Sequence, residues 1–221
     1  MNLALLKLIR NSTMKSEMNA GKHPVTGGGL RPALGVVLWL CCAAAWAHDE
    51  TGQAAGFLSG LSHPVSGMDH VLAMVAVGLW GAVLGPPAIW VLPVAFPLVM
   101  AFGGLMGLLG FPLPGVEIGI ALSALVLGFM VLAELRPPLW LAAVVVSLFA
   151  IFHGHAHGRE LPEGTSALLY SLGFVIATGL LHALGILLGV AHRWEAGRRL
   201  VRTAGGGVAL AGVFFLWRAV T

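Results

Sequence analysis

Charge is what this sequence has least of. Lys, Arg, Asp and Glu make up 10% of its 221 residues, against 58% that are hydrophobic, whereas an ordinary soluble domain carries about a quarter charged residues. The deficit excludes a water-facing globular surface and makes lipid the solvent. Cysteine is nearly absent as well: Cys41 and Cys42 are the two in the chain, and both fall in a segment that reads as a removable leader. The processed protein would then have no disulfide and no thiolate metal ligand. No G-x-x-x-x-G-K-[ST] phosphate loop occurs, which excludes ATP hydrolysis by that route, and no H-E-x-x-H zinc motif occurs either. Spans of about 20 residues leave room for about six or seven helices and no soluble catalytic or nucleotide-binding domain.

What is present follows a membrane plan. Lys7, Arg10, Lys15, Lys22 and Arg31 precede an apolar run over 33–44 and then Ala45-Trp46-Ala47, the three regions of a secretory signal with cleavage after Ala47. The expected fold is an all-α integral membrane protein, with a signal peptide over 1–47 and a compact bundle of six transmembrane helices over 48–221. The spans are expected over 66–85, 88–110, 115–135, 139–155, 165–191 and 202–220, with Pro86-Pro87, Pro112 with Pro114, Pro137-Pro138 and Pro162 between them. Gly81 with Gly85, Gly103 with Gly107 and Gly185 with Gly189 stand four apart, spacing that lets helix backbones approach closely in lipid. A homo-oligomer is compatible with the same feature. Pro93 and Pro97 lie within the second span, where a packing kink is the simpler expectation.

The net charge of +3 does not mark a nucleic-acid partner, because the basic residues crowd into the leader and one short connection. Arg193, Arg198, Arg199 and Arg202 place that connection in the cytoplasm. Counting spans from it puts both mature termini on the periplasmic side of the inner membrane. The lipid bilayer is thus the constant partner.

Polar groups within spans are costly and mark function first. His63 with Asp69-His70 opens the first span, Glu117 opens the third, and Phe152-His153-Gly154-His155-Ala156-His157-Gly158-Arg159-Glu160 closes the fourth. With that topology the three groups share one membrane depth, near the outer surface. Imidazole and carboxylate without sulfur suit Ni, Co, Zn or Cu better than Mg or Ca. Asp69 and His70 diverge by about 100° and can flank one site, with His63 on the entering loop. His153 and His157 share a helical face, while His155 points away. Blander readings exist for each: Asp69 as an N-cap, the alternate histidines as a solvated loop, and Glu117 as an acid favoured at a helix start. His182 reads as a lone packing histidine, Glu134 as an interfacial partner of Arg136, and the tryptophans as interfacial anchors.

These motifs resemble the HupE/UreJ family of nickel permeases. The resemblance rests on His63 followed by Asp69-His70 and on the stretch from Phe152 to Glu160, and it runs through the chain from His48 onward. It implies a permease without a resident cofactor, whose divalent cargo, nickel or cobalt, supplies hydrogenase or urease maturation. It also implies that His63, Asp69, His70, His157 and Glu160 are needed for transport, and that Glu117 stands where the family carries a functional acid. An intramembrane zinc-dependent hydrolase and a metal-sensing maturation subunit remain the alternatives. The leader itself is testable: mass spectrometry of membrane-purified protein should find a chain beginning at His48, whereas an intact Met1 species as the main form would add a helix.

Overall fold

In the computed structural model, residues 53–161 and 164–221 are described; the expected signal peptide, its cleavage site and Pro162 lie outside them. The described residues form helices joined by short turns. They are α1 (Gln53–Ser66), α2 (Met68–Leu84), α3 (Ala88–Leu108), α4 (Val116–Leu132), α5 (Leu139–Arg159), α6 (Ala167–Gly189), a 3-10 turn (Val190–Arg193) and α7 (Glu195–Val220). Four helical segments are long and apolar enough to cross a membrane: α3, α5, α6 with its 3-10 turn, and α7. The α1–α2 pair, bent by 82°, adds a fifth when it is taken as one broken span. α4 is apolar but has 17 residues, at the short end for a crossing.

Three elements differ from the sequence expectation. α1 precedes the expected first span, and its Ser, Gly, His and Pro residues dilute the hydropathy that would have revealed it. α5 runs on to Arg159 because Gly154 and Gly158 face α3 and do not break the helix. α7 begins at Glu195, so Arg198, Arg199 and Arg202 ride its first turns and do not form a loop. A Glu195–Arg199 ion pair of 2.8 Å supports that start, in the i,i+4 order that favours helix.

Lipid tails are as apolar as leucine, so helices associate in the membrane through close packing. Glycines supply the approach. α3 and α5 run parallel, with Gly103 against Ile151, Gly107 against His155, and Gly154 and Gly158 against Met100 and Gly104. α6 runs parallel to α1 and then α2, with Gly173 on Phe57 and Gly185 on Val75. α4 and α7 run antiparallel, with Gly128 on Gly205 and Ala209. Of the glycine pairs expected to pack helices, Gly81 with Gly85 does so only in part, since Gly81 lies against Ala88 and Ile89 at the start of α3 while Gly85 does not pack. Gly85 caps α2 at φ 79°, with no neighbour that a Cβ would meet. α2 sits at the centre, buried along most of its length, and its Trp80 Nε1 donates to Leu135 O at 3.0 Å.

The end of the bundle near that carbonyl is held by charge. Glu134 adopts φ 53°, a left-handed conformation that glycine usually supplies at a helix C-terminus. Its carboxylate accepts from Arg198 Nε at 2.6 Å and from a second Arg198 nitrogen, with His192 at 3.4 Å and Arg202 at 3.7 Å. The partner is therefore α7, 64 residues on, and not the expected Arg136. The Arg198 hydrogen bond is the main cause that lowers the Glu134 carboxyl from 4.5 to about 2. The stability this contributes is complete above pH 4.5 and is lost as pH falls through the folded value.

Glycine at position 154 should be irreplaceable. A methyl group there would run into Met100 O, so Gly154→Ala should destabilise by about 1–3 kcal/mol. At Gly179 a Cβ meets nothing within 4 Å, and Gly179→Ala should be neutral or stabilise by about 0.5–1 kcal/mol. Thermal melting of the two variants in detergent checks the contrast.

Candidate metal centre

The break between α1 and α2 creates the site. Gly67, with extended φ −105° and ψ 117°, is the N-cap of α2 and provides no side-chain cap. Asp69 is thus inside the first turn, and the blander reading of it as the N-cap does not hold. Its Oδ1 accepts from the His70 amide at 2.8 Å and from His70 Nδ1 at 2.9 Å. A carboxylate on Nδ1 fixes the proton there and leaves the Nε2 lone pair free. That Nε2 is buried and has no hydrogen-bond partner.

His153 is set the same way by a different group. Ser123 Oγ has one proton and gives it to Ile120 O at 2.6 Å, so at 2.9 Å from His153 Nε2 it accepts. The His153 lone pair is then on Nδ1, which is buried and unpartnered. Sequence reasoning missed Ser123; its one signal was a hydroxyl within an apolar helix.

The α5 helix carries His157 one turn beyond His153, and the rings form a continuous row. Centroid distances are 4.7 Å for His63–His157, 4.6 Å for His157–His70 and 4.7 Å for His70–His153. Both ring nitrogens of His157 lack a hydrogen-bond partner. Glu160 Oε2 meets His63 Nε2 at 2.9 Å and stands 4.0 Å from His157 Nδ1. His63, His157 and Glu160 each offer one ligand atom within 4.8 Å of the others. Side-chain exposure falls from 54% at Glu160 and 26% at His63 to 6% at His157, and His153 is fully buried. The row therefore leads from a partly exposed mouth to the fully buried His153, with His70, 13% exposed, standing between His157 and His153. A crevice of about 180 Å³ among α3, α5 and α6 is lined by His157, Tyr170 and Phe174.

Of the residues expected in the site, His63, Asp69, His70, His153, His157 and Glu160 come together. His63 does so from the last turn of a helix and not from a loop. Glu117 is exposed on the first turn of α4 and takes part in none of these contacts. His155 points away as expected, yet it is buried and not solvated. Its Nε2 pairs with Phe111 O at 2.8 Å and ties α5 to the connection before α4. Two aromatic residues went unnoticed in the sequence. Tyr170 lies 5.8 Å from His63, ring to ring, and Phe96 lies 5.5 Å from His153 and 5.3 Å from His182.

A donor set of imidazoles and carboxylates with free lone pairs suits a divalent transition-metal ion. Comparison with known proteins agrees with the sequence resemblance. A family model described as HupE / UreJ protein matches residues 36–215. A curated relative, Protein HupE of Rhizobium leguminosarum bv. viciae, is 50% identical over 171 residues, covering 77% of this chain and 90% of its own length. No solved structure matches. The chain belongs to the HupE/UreJ family.

The geometry separates two roles for Asp69. As an orienting group, Asp69→Asn keeps an oxygen for His70 Nδ1 and should hold nickel affinity within a few-fold, while Asp69→Ala should lose about 10–100-fold. Nickel titration of purified protein decides it, and equal losses in the two variants would make the carboxylate a direct ligand.

Proposed function

With membership of the HupE/UreJ family as the premise, we propose that this protein carries a divalent transition-metal ion, nickel by preference, across the inner membrane into the cytoplasm. The metal would then serve hydrogenase or urease maturation. The observation that carries this reading is the row of four histidines, three of them with a buried unpartnered nitrogen, that leads from the partly exposed His63 to the fully buried His153 at a break in a membrane helix. Broken helices in transporters bring helix ends and free polar groups to an ion at membrane depth.

In this reading the chain crosses six times, with α1–α2 as one broken span and α4 as a short one, and both mature ends are periplasmic. Glu160, His63 and His157 receive the ion at the mouth. His70 Nε2 and His153 Nδ1 take it next, each pre-set by its own hydrogen bond, so that few ligands need to reorganise. Glu117, exposed at the same end of the bundle, adds negative charge that draws cations to the mouth. The Glu134–Arg198–Arg202 cluster then faces the cytoplasm, in keeping with the preference of arginine for that side.

The membrane potential is a sufficient driving force. Moving two charges inward through 100 mV gains about 4.6 kcal/mol, twice the value for one. A site that replaces water without binding too tightly lets the ion leave.

Proteoliposomes with an inside-negative potential and radioactive nickel test the proposal. Uptake should follow the potential, and His157→Ala should reduce it at least tenfold at equal protein level, with His155→Ala much less affected. Nickel binding without uptake would favour the metal-sensing reading, and hydrolytic activity in parallel assays the zinc-enzyme reading.

A further inference from the structure

One buried polar group lies beyond the row of histidines. His182, on α6, is 1% exposed, and neither ring nitrogen has a hydrogen-bond partner. A histidine kept for packing alone would satisfy at least its N–H. Thr178, one turn earlier on the same face, is 0% exposed, and its Oγ1 is likewise unpartnered. Across from them, α3 supplies a third group. Pro97 has no N–H, so the carbonyl of Pro93 four residues before it is left without its helical donor. That carbonyl faces the His182 ring as a loose backbone acceptor, short of the geometry of a full hydrogen bond. Two buried polar side chains of α6 thus have bonding capacity unused on one helical face, and the Pro93 carbonyl of α3 meets the first of them.

The region continues the path already described. The Phe96 ring packs against His153 on one side, at 5.5 Å, and edge-on against His182 on the other, at 5.3 Å. Phe96 stands between Pro93 and Pro97 on α3, in the segment where the helical hydrogen bonding is interrupted.

We propose that His182, Thr178 Oγ1 and the Pro93 carbonyl form a second, inner station for a partly dehydrated divalent transition-metal ion. This deepens the transport reading and rests on it. The donor set is one imidazole and two neutral oxygens, with no carboxylate among them. It holds the ion more weakly than the mouth, where Glu160 contributes a charge, and a weaker second station lets an ion proceed inward. The interrupted helix at Pro93 and Pro97 has a use in this arrangement, since it frees an oxygen toward the path. In this proposal His182 does more than pack.

Two volume-conserving variants test the station, His182→Leu and Thr178→Val, in the full-length protein. Nickel titration of detergent-purified wild type should show a tighter and a weaker class of binding. His182→Leu should lose the weaker class alone, and uptake into proteoliposomes should fall at least tenfold in maximal rate with little change in half-saturating nickel. Thr178→Val should move both readouts in the same direction by a smaller factor. It decides the question if His182→Leu does not accumulate in membranes. Wild-type uptake rate and both binding classes retained in a well-folded variant would overturn the proposal. If the wild type binds nickel in two classes yet takes up none, the transport reading fails, and selective loss of the weaker class still establishes the inner station.

Discussion

Backbone-to-backbone contact between helices, made where glycine leaves out a side chain, is the constraint from which the remaining geometry follows. In lipid, burial of apolar side chains does not hold helices together, so the approach distance of backbones decides which faces meet. Gly154 and Gly158 lie against Met100 and Gly104 of α3, which fixes the rotation of α5 about its axis. With that rotation set, His153 and His157 turn toward α2 while His155 reaches the Phe111 carbonyl. Gly173 and Gly185 do the same for α6 against α1 and α2, and so hold the break at Gly67 beside the histidines. The direction of every ring in the site depends on residues that have no side chain.

A second consequence concerns the protonation of the rings. Several neutral imidazoles packed edge to face would ordinarily share protons among themselves, since each carries a donor and an acceptor. For His70 and His153 the donors are used elsewhere. Asp69 takes the proton-bearing nitrogen of His70, and Ser123 takes that of His153 because its own proton is given to Ile120 O. What these two rings leave unused is one lone pair each with no protein partner, and His157, beside His70, has neither nitrogen paired. Unpaired buried polar atoms are destabilising, and they persist where a ligand satisfies them. The chemical character of the site comes from this one-sided use of hydrogen bonds.

The two ends of the bundle are electrostatically unlike. One gathers Glu160, Asp69 and the histidines; the other gathers Arg198, Arg202 and His192 around Glu134. Glu134 occupies a left-handed position at the end of α4, where a residue with a Cβ is less favourable than glycine by about 1–2 kcal/mol. Its ion pair with α7 offsets that strain and joins the short helix α4 to the long one packed on it. The arrangement places acid where cations would collect and fixed positive charge at the far end.

Much of this was legible in the sequence, and what was not shares one physical cause. Hydropathy and proline punctuation located the apolar helices α2 to α6 to within a few residues, because a helix in lipid must be apolar along its own length, which is a local property. Helical spacing alone separated His155 from His153 and His157, since angles about a helix axis are set by residue count. α1 escaped notice because its composition is mixed and its helicity is supported by contact with Tyr170 and Gly173 of α6. Glu134 was assigned to Arg136, two residues away, when its partner was Arg198, and Asp69 was weighed as a cap when it orients His70. The sequence by itself determined the solvent, the helices and the identity of the polar groups. Only the tertiary structure decided which polar group each one meets, because a hydrogen-bond partner is chosen by which helices become neighbours, and that choice is made by packing across the bundle.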